Sequence, residues 1–114
     1  MRSAGRGPGG RGRAAQASGV FMVVGVLRLR LGVFEARSLK DKRRVTKSLK
    51  DRLGARHNVS IAEVDDLDHC QAATLGLAMV ANETRFVESA LARIVDEVRA
   101  NPHASLLEYK IEML

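Results

Sequence analysis

Four segments of this chain repeat their apolar residues at every second position and two at every third or fourth. The order in which these periods alternate leaves few folds open. Val23–Leu31, VVGVLRLRL, sets Gly25, Leu27, Leu29 and Leu31 on one side and Val26, Arg28 and Arg30 on the other, which makes a strand. After a loop through Gly32 and Glu35, Ser38-Leu39-Lys40-Asp41 matches a capping box, a hydroxyl cap with an acid three residues on. The helix it opens is expected from about Leu39 to about Arg56, with Gly54 near its end and Asn58 as its stop. Val59–Val64, VSIAEV, reads as a second strand, and the acidic loop Asp65–Gln71 separates it from a third, Ala73–Ala81, with Leu75, Leu77 and Met79 on one face. Asn82 suits the cap of a second helix, in which Phe86, Val87, Ala90, Leu91, Ile94, Val95 and Val98 form one apolar stripe, Phe86 on its core face. Asn101-Pro102 ends that helix, and Leu106–Met113 alternates again as a fourth strand.

The order β-α-β-β-α-β is the split βαβ arrangement. Right-handed crossovers in both halves bring the strands into one sheet. The expected fold is an α+β, ferredoxin-like βαββαβ sandwich: a four-stranded antiparallel sheet with two helices on one face. The other face is open or is covered by a second subunit. With 114 residues the chain makes one domain at most, long enough to bury a core without staples. A lone Cys70 rules out an internal disulfide framework and fits a reducing cytoplasm. No apolar run approaches the roughly 20 residues of a membrane span.

Residues 1–21 are rich in Gly, Ala, Ser and Arg, and Arg2, Arg6, Arg11 and Arg13 give them +4 of a net charge of +6. They read as a disordered basic tail, with 22–114 as the single folded domain. Two readings of the tail compete: a basic arm for nucleic acid, or an upstream translation start ahead of Met22. The second is preferred because Met22 opens the first strand directly.

Charge inside the domain is concentrated in Arg37–Arg56, RSLKDKRRVTKSLKDRLGAR, with nine Lys or Arg against Asp41 and Asp51. At about 100° per residue, Lys40, Arg43, Arg44, Lys47 and Lys50 share one sector of the helix, while Val45, Leu49 and Leu53 lie opposite. One side can join a core while the other shows cations to water, which suits an anionic partner such as RNA. Arg37 and Arg56 flank the row. Lys42 is its outlier, since the helical wheel puts it on the apolar side, with its stem along the core edge and its head in water.

Other constellations say less. His57, His69, Cys70, Asp65, Asp66 and Asp68 lack Cys-x-x-Cys or His-x-x-x-His spacing, so neither metal nor cofactor is expected. The acidic loop is expected to complement the basic helix, in this chain or in a second subunit. Arg28 and Arg30 are expected to pair with Glu108 or Glu112, because the first and fourth strands should be neighbours. Phe21, Phe34, Phe86 and Tyr109 do not stand on central strands, which argues against base stacking on the sheet. No Ser-His-Asp, Cys-His or paired-carboxylate arrangement points to catalysis.

The strings MVVGVLRLRL, EARSLKDKRRVTKSLKDRL, NVSIAEVDDLD and ATLGLAMVANE resemble the YlxP-like family, domain of unknown function 503, of small bacterial proteins. The resemblance covers nearly all of Met22–Leu114, and Ser38–Leu53 is its most specific part. It implies a ferredoxin-like fold and no established activity. Family members are often encoded beside translation-initiation and ribosome-maturation factors, which implies a role near RNA or the ribosome by association. The chain departs from the family pattern at His57, where an aromatic is usual, at Cys70, where Trp is usual, and at Ala72, where Arg is usual. The expectation is a non-enzymatic cytoplasmic protein that contacts RNA or the ribosome through Arg37, Lys40, Lys42, Arg43, Arg44, Lys47, Lys50 and Arg56. The alternative is a protein-interaction or homodimerisation module that uses the open sheet face or a strand edge. No small-molecule ligand is indicated.

Overall fold

The computed structural model describes residues 21–114. The elements are β1 (Val23–Gly32), α1 (Leu39–Arg56), β2 (Ser60–Asp65), β3 (Ala72–Ala81), α2 (Thr84–Arg99) and β4 (Ser105–Met113). The strands pair antiparallel in the order β2-β3-β1-β4. This is the ferredoxin-like arrangement that the alternating periods specify. The tail and start-site readings lie outside the described residues except at Phe21, which is half-buried against the core.

The core is a single layer between the sheet and the two helices. Leu27, Leu29 and Leu31 of β1 and Leu75, Leu77 and Met79 of β3 supply the sheet side, in step with the strand period. Helix α2 lies on β1, β3 and β4 and buries Val87, Ala90, Leu91, Ile94, Val95 and Val98. It comes close because Gly25 has no side chain there, and a Cβ at that position would stand 2.5 Å from Val87 Cγ1. Helix α1 lies over β2 and β3.

Three local expectations are corrected. Phe86 is exposed, because it lies about 100° around α2 from Val87, on the flank of the stripe. The residue capping α2 is Glu83, not Asn82, and no side chain caps its first amides. Strands β1 and β4 are neighbours as expected, and Arg30 stands opposite Glu108, yet the arginines pair the other way. Arg28 reaches Asp65 at 3.3 Å and Arg30 reaches Asp66 at 3.4 Å. On β3 their cross-strand neighbours are Gly76 and Thr74, too small to block the reach toward β2. The register shift between Glu63 and Asp65, and the left-handed backbone of Asp66 (φ 60°), accompany the turn that brings the two carboxylates to the arginines.

Candidate nucleic-acid interface

Helix α1 begins as its sequence dictates. Ser38 Oγ accepts the Asp41 amide at 3.0 Å. The Asp41 carboxylate reaches back one residue further than a capping box requires, to the Arg37 amide at 2.9 Å. At the other end the His57 amide closes the last turn on Leu53 O at 2.9 Å. The imidazole of His57 lies 2.7 Å from Glu97 on α2, and Arg56 stands 3.6 Å from the same carboxylate. The helix is thus fixed at both ends before any partner is considered.

Lys42, Thr46, Leu49 and Leu53 point inward at spacings of four, three and four. Among the sequence-predicted contacts this removes Lys42. Its side chain is fully buried, and its ammonium donates to Glu63 Oε2 at 2.8 Å, Asp66 O at 2.8 Å and Ala72 O at 3.1 Å, with Leu67 O at 3.4 Å. A stem lying along the core edge with its head in water was the expectation. Instead the head is turned under the β2–β3 loop, because a carboxylate and main-chain carbonyls wait there to replace water around the charge. The acidic loop therefore does not complement the basic helix by charge: it meets α1 through the Asp66 and Leu67 carbonyls, while its carboxylates Asp65 and Asp66 pair with Arg28 and Arg30 of β1.

The outer side keeps the rest of the row. Lys40, Arg43, Arg44 and Lys47 are exposed and Lys50 is half-buried, while Arg37 and Arg56 are exposed at the flanks. Lys47 holds Asp51 at 2.8 Å, one turn on. That hydrogen bond and charge raise the Lys47 ammonium above its ordinary range. Arg44 stands 3.9 Å from Asp41. Among the described residues, Arg37, Lys40, Arg43 and Lys50 have no carboxylate within 4.0 Å. Exposed pairs of this kind hold weakly and exchange readily for another anion.

Sequence reasoning missed three participants. Glu63 is the partner of Lys42, and its signal was available: it falls on the inward parity of β2 with Ile61, an acid where an apolar residue belongs. Thr74, buried, donates to Asp66 Oδ2 at 2.6 Å, and this bond, followed by Arg30, holds the Asp66 carboxyl below the usual range. Glu97 is reached by His57 from 40 residues away, which no local pattern announces. His69 is engaged locally, its Nδ1 accepting the Gln71 amide at 3.1 Å. The exposed aromatics, Phe34, Phe86 and Tyr109, sit on a loop, a helix flank and an edge strand, and Tyr109 carries Arg99 at 5.4 Å from its ring centre. No helix among the described residues is long and apolar enough to cross a membrane.

A family model described as "Protein of unknown function (DUF503)" matches residues 24–111. A relative in Bacillus subtilis (strain 168), "Uncharacterized protein YlxP", is 33% identical over 70 residues, covering 61% of this chain and 76% of that protein. Two solved structures are similar at low identity. The de novo designed protein Foldit4 (15% identity, TM-score 0.48) aligns with 82% of this chain and 96% of its own. An amidase of the hydantoinase/carbamoylase family from Burkholderia phymatum (14%, TM-score 0.43) aligns with 95% of this chain and 33% of its own.

Proposed function

The chain belongs to the DUF503 family of proteins of unknown function, and from its own geometry we propose that it works by association, contacting RNA phosphates through the outer face of α1. The contacting residues are Lys40, Arg43, Arg44, Lys47 and Lys50, with Arg37 and Arg56 at the ends. One observation carries this reading. Helix α1 turns its misplaced cation, Lys42, fully inward onto Glu63 and keeps Lys40, Arg43, Arg44, Lys47 and the half-buried Lys50 in one sector away from the core. At 1.5 Å per residue the row from Lys40 to Lys50 is about 15 Å long, enough to follow a few successive phosphates. Lysine supplies point charge and arginine bidentate donors, which hold a backbone without reading its sequence.

The reading is non-catalytic and goes with a cytoplasmic setting near RNA or the ribosome. The buried and half-buried polar contacts hold elements together: Lys42 with Glu63, Arg30 and Thr74 with Asp66, His57 with Glu97. The test is fluorescence anisotropy of labelled ribosomal RNA fragments across a salt series, with a variant carrying Glu at positions 40, 43, 44 and 47. The expected result is binding whose logarithm falls with log salt by about 0.7 per phosphate on single strands, and which the variant loses. Lys42 is left in place so that the fold survives. No binding, or equal binding by both proteins, overturns the reading.

A further inference from the structure

We propose that the sheet face opposite the helices is a homodimer interface, with two copies of the chain packing sheet to sheet. Two features of that face carry the proposal, and neither concerns α1, which lies on the other side of the sheet. The surface therefore stands or falls independently of RNA binding.

The first feature is shape and polarity. Val26, Ala62, Val64, Gly76 and Ala78 line a shallow depression of about 530 Å³ in this face. Val64 is 54% exposed, and Val80, further along β3 on the same face, 49%. On β2 and β3 the side chains around the depression are small: Ser60 stands opposite Ala78, and Ala62 opposite Gly76. The long side chains at its border, Arg28, Lys110 and Glu112, stand on the β1–β4 side, so the β2–β3 half is open to a second sheet at the ordinary packing distance of about 10 Å.

The second feature is charge, and it selects the occupant. On β4 the same face carries Glu108, Lys110 and Glu112 in alternation, opposite Arg30, Arg28 and Val26 of β1. Among the described residues none of these three has an ion-pair partner within 4.0 Å. Lys110 also stands directly across from Arg28, a like-charge pair that costs stability when left alone. A row of alternating sign is self-complementary. A two-fold axis running across the strands lays β4 antiparallel over β4, and a shift of one same-face position sets Lys110 of each copy against Glu112 of the other. An RNA backbone or an anionic membrane, of one sign throughout, meets repulsion at every glutamate of this row.

The test is sedimentation velocity of the full chain over a concentration series, with three variants checked for native circular dichroism. The wild type is expected to show reversible dimerisation. Lys110→Glu should weaken it roughly tenfold or more, as like charges facing across an interface do, and Lys110→Glu with Glu112→Lys should restore it. Ala62→Glu, at an exposed position that leaves the core untouched, should abolish dimerisation in a chain that remains folded. A wild type that stays monomeric into the sub-millimolar range overturns the proposal. So does a dimer indifferent to Ala62→Glu, or a charge swap that fails to restore what the single change removed.

Discussion

The two helices lie on the same face of one sheet and are held there by different physics. Helix α2 is seated by six aliphatic side chains, from Val87 to Val98. The five larger ones are each worth on the order of 1.5–3 kcal/mol when withdrawn from water, Ala90 less. Helix α1 is seated by two leucines, a threonine and a lysine, and the lysine reaches a carboxylate on β2 and carbonyls of the β2–β3 loop. Apolar contact is indifferent to salt and pH and tolerates small slips. A buried ammonium accepts one position, because any shift leaves a charge or a carbonyl without its partner. The helix that presents the cations is therefore the one whose rotation about its own axis is most tightly specified.

That contrast can be broken most forcefully at its centre. Lys42→Ala strands Glu63 and the three carbonyls and is expected to cost about 3–5 kcal/mol in urea unfolding, the range for removing one member of a buried pair. Lys42→Met together with Glu63→Met should recover most of that loss, which an ordinary core truncation cannot do. On α2, Leu91→Ala should cost about 2–5 kcal/mol, and no second polar change should rescue it. If Lys42→Ala cost no more than an exposed substitution, the two helices would be seated alike.

A smaller effect separates the helices by pH. The side-chain carboxyl of Asp66, the residue whose main-chain carbonyl accepts from Lys42, has its pKa lowered in the folded chain, first by the Thr74 hydroxyl and then by Arg30. Its stabilising contribution is fully present above the unfolded value, about 3.9, and is lost as pH falls through the lower folded value. The urea midpoint should therefore drop below about pH 4, and Thr74→Val should flatten part of that drop. An unchanged acid limb in Thr74→Val would show that Asp66 owes its shift to something else.

The smallest expected change sharpens the comparison at the exposed end of α1. Gly54 is helical, with nothing within 4 Å of where a Cβ would stand. Gly54→Ala should raise stability by about 0.5–1 kcal/mol through helix propensity alone, without altering RNA affinity. A gain in affinity would mean that fraying of this end limits the interface.

What the sequence made legible was whatever depends on neighbours along the chain. The periods of β1, β3 and α2, the Ser38–Asp41 cap and the outward row on α1 all came from spacings of two to four residues. The same reasoning failed where position is decided by residues far apart. Lys42 and Glu63 each looked out of place on its own element, and only their meeting explains both. Arg28 and Arg30 have the β4 neighbours that topology predicts, but a bulge and one left-handed residue moved nearer carboxylates into reach from β2. Phe86 was misplaced for a different reason: it sits at the margin of a stripe already wide enough without it, where a helical wheel cannot tell core from rim.

Lys42 and Glu63 also behave as a single heritable character. A lineage that changes either residue alone passes through a chain with a stranded buried charge, whereas a change of both to aliphatics removes the charges together; a reversal of the two would set a carboxylate against the carbonyls that Lys42 now holds. Drift at these two positions should therefore arrive in pairs among relatives of this chain, while the outward lysines and arginines of the same helix remain free to exchange one at a time.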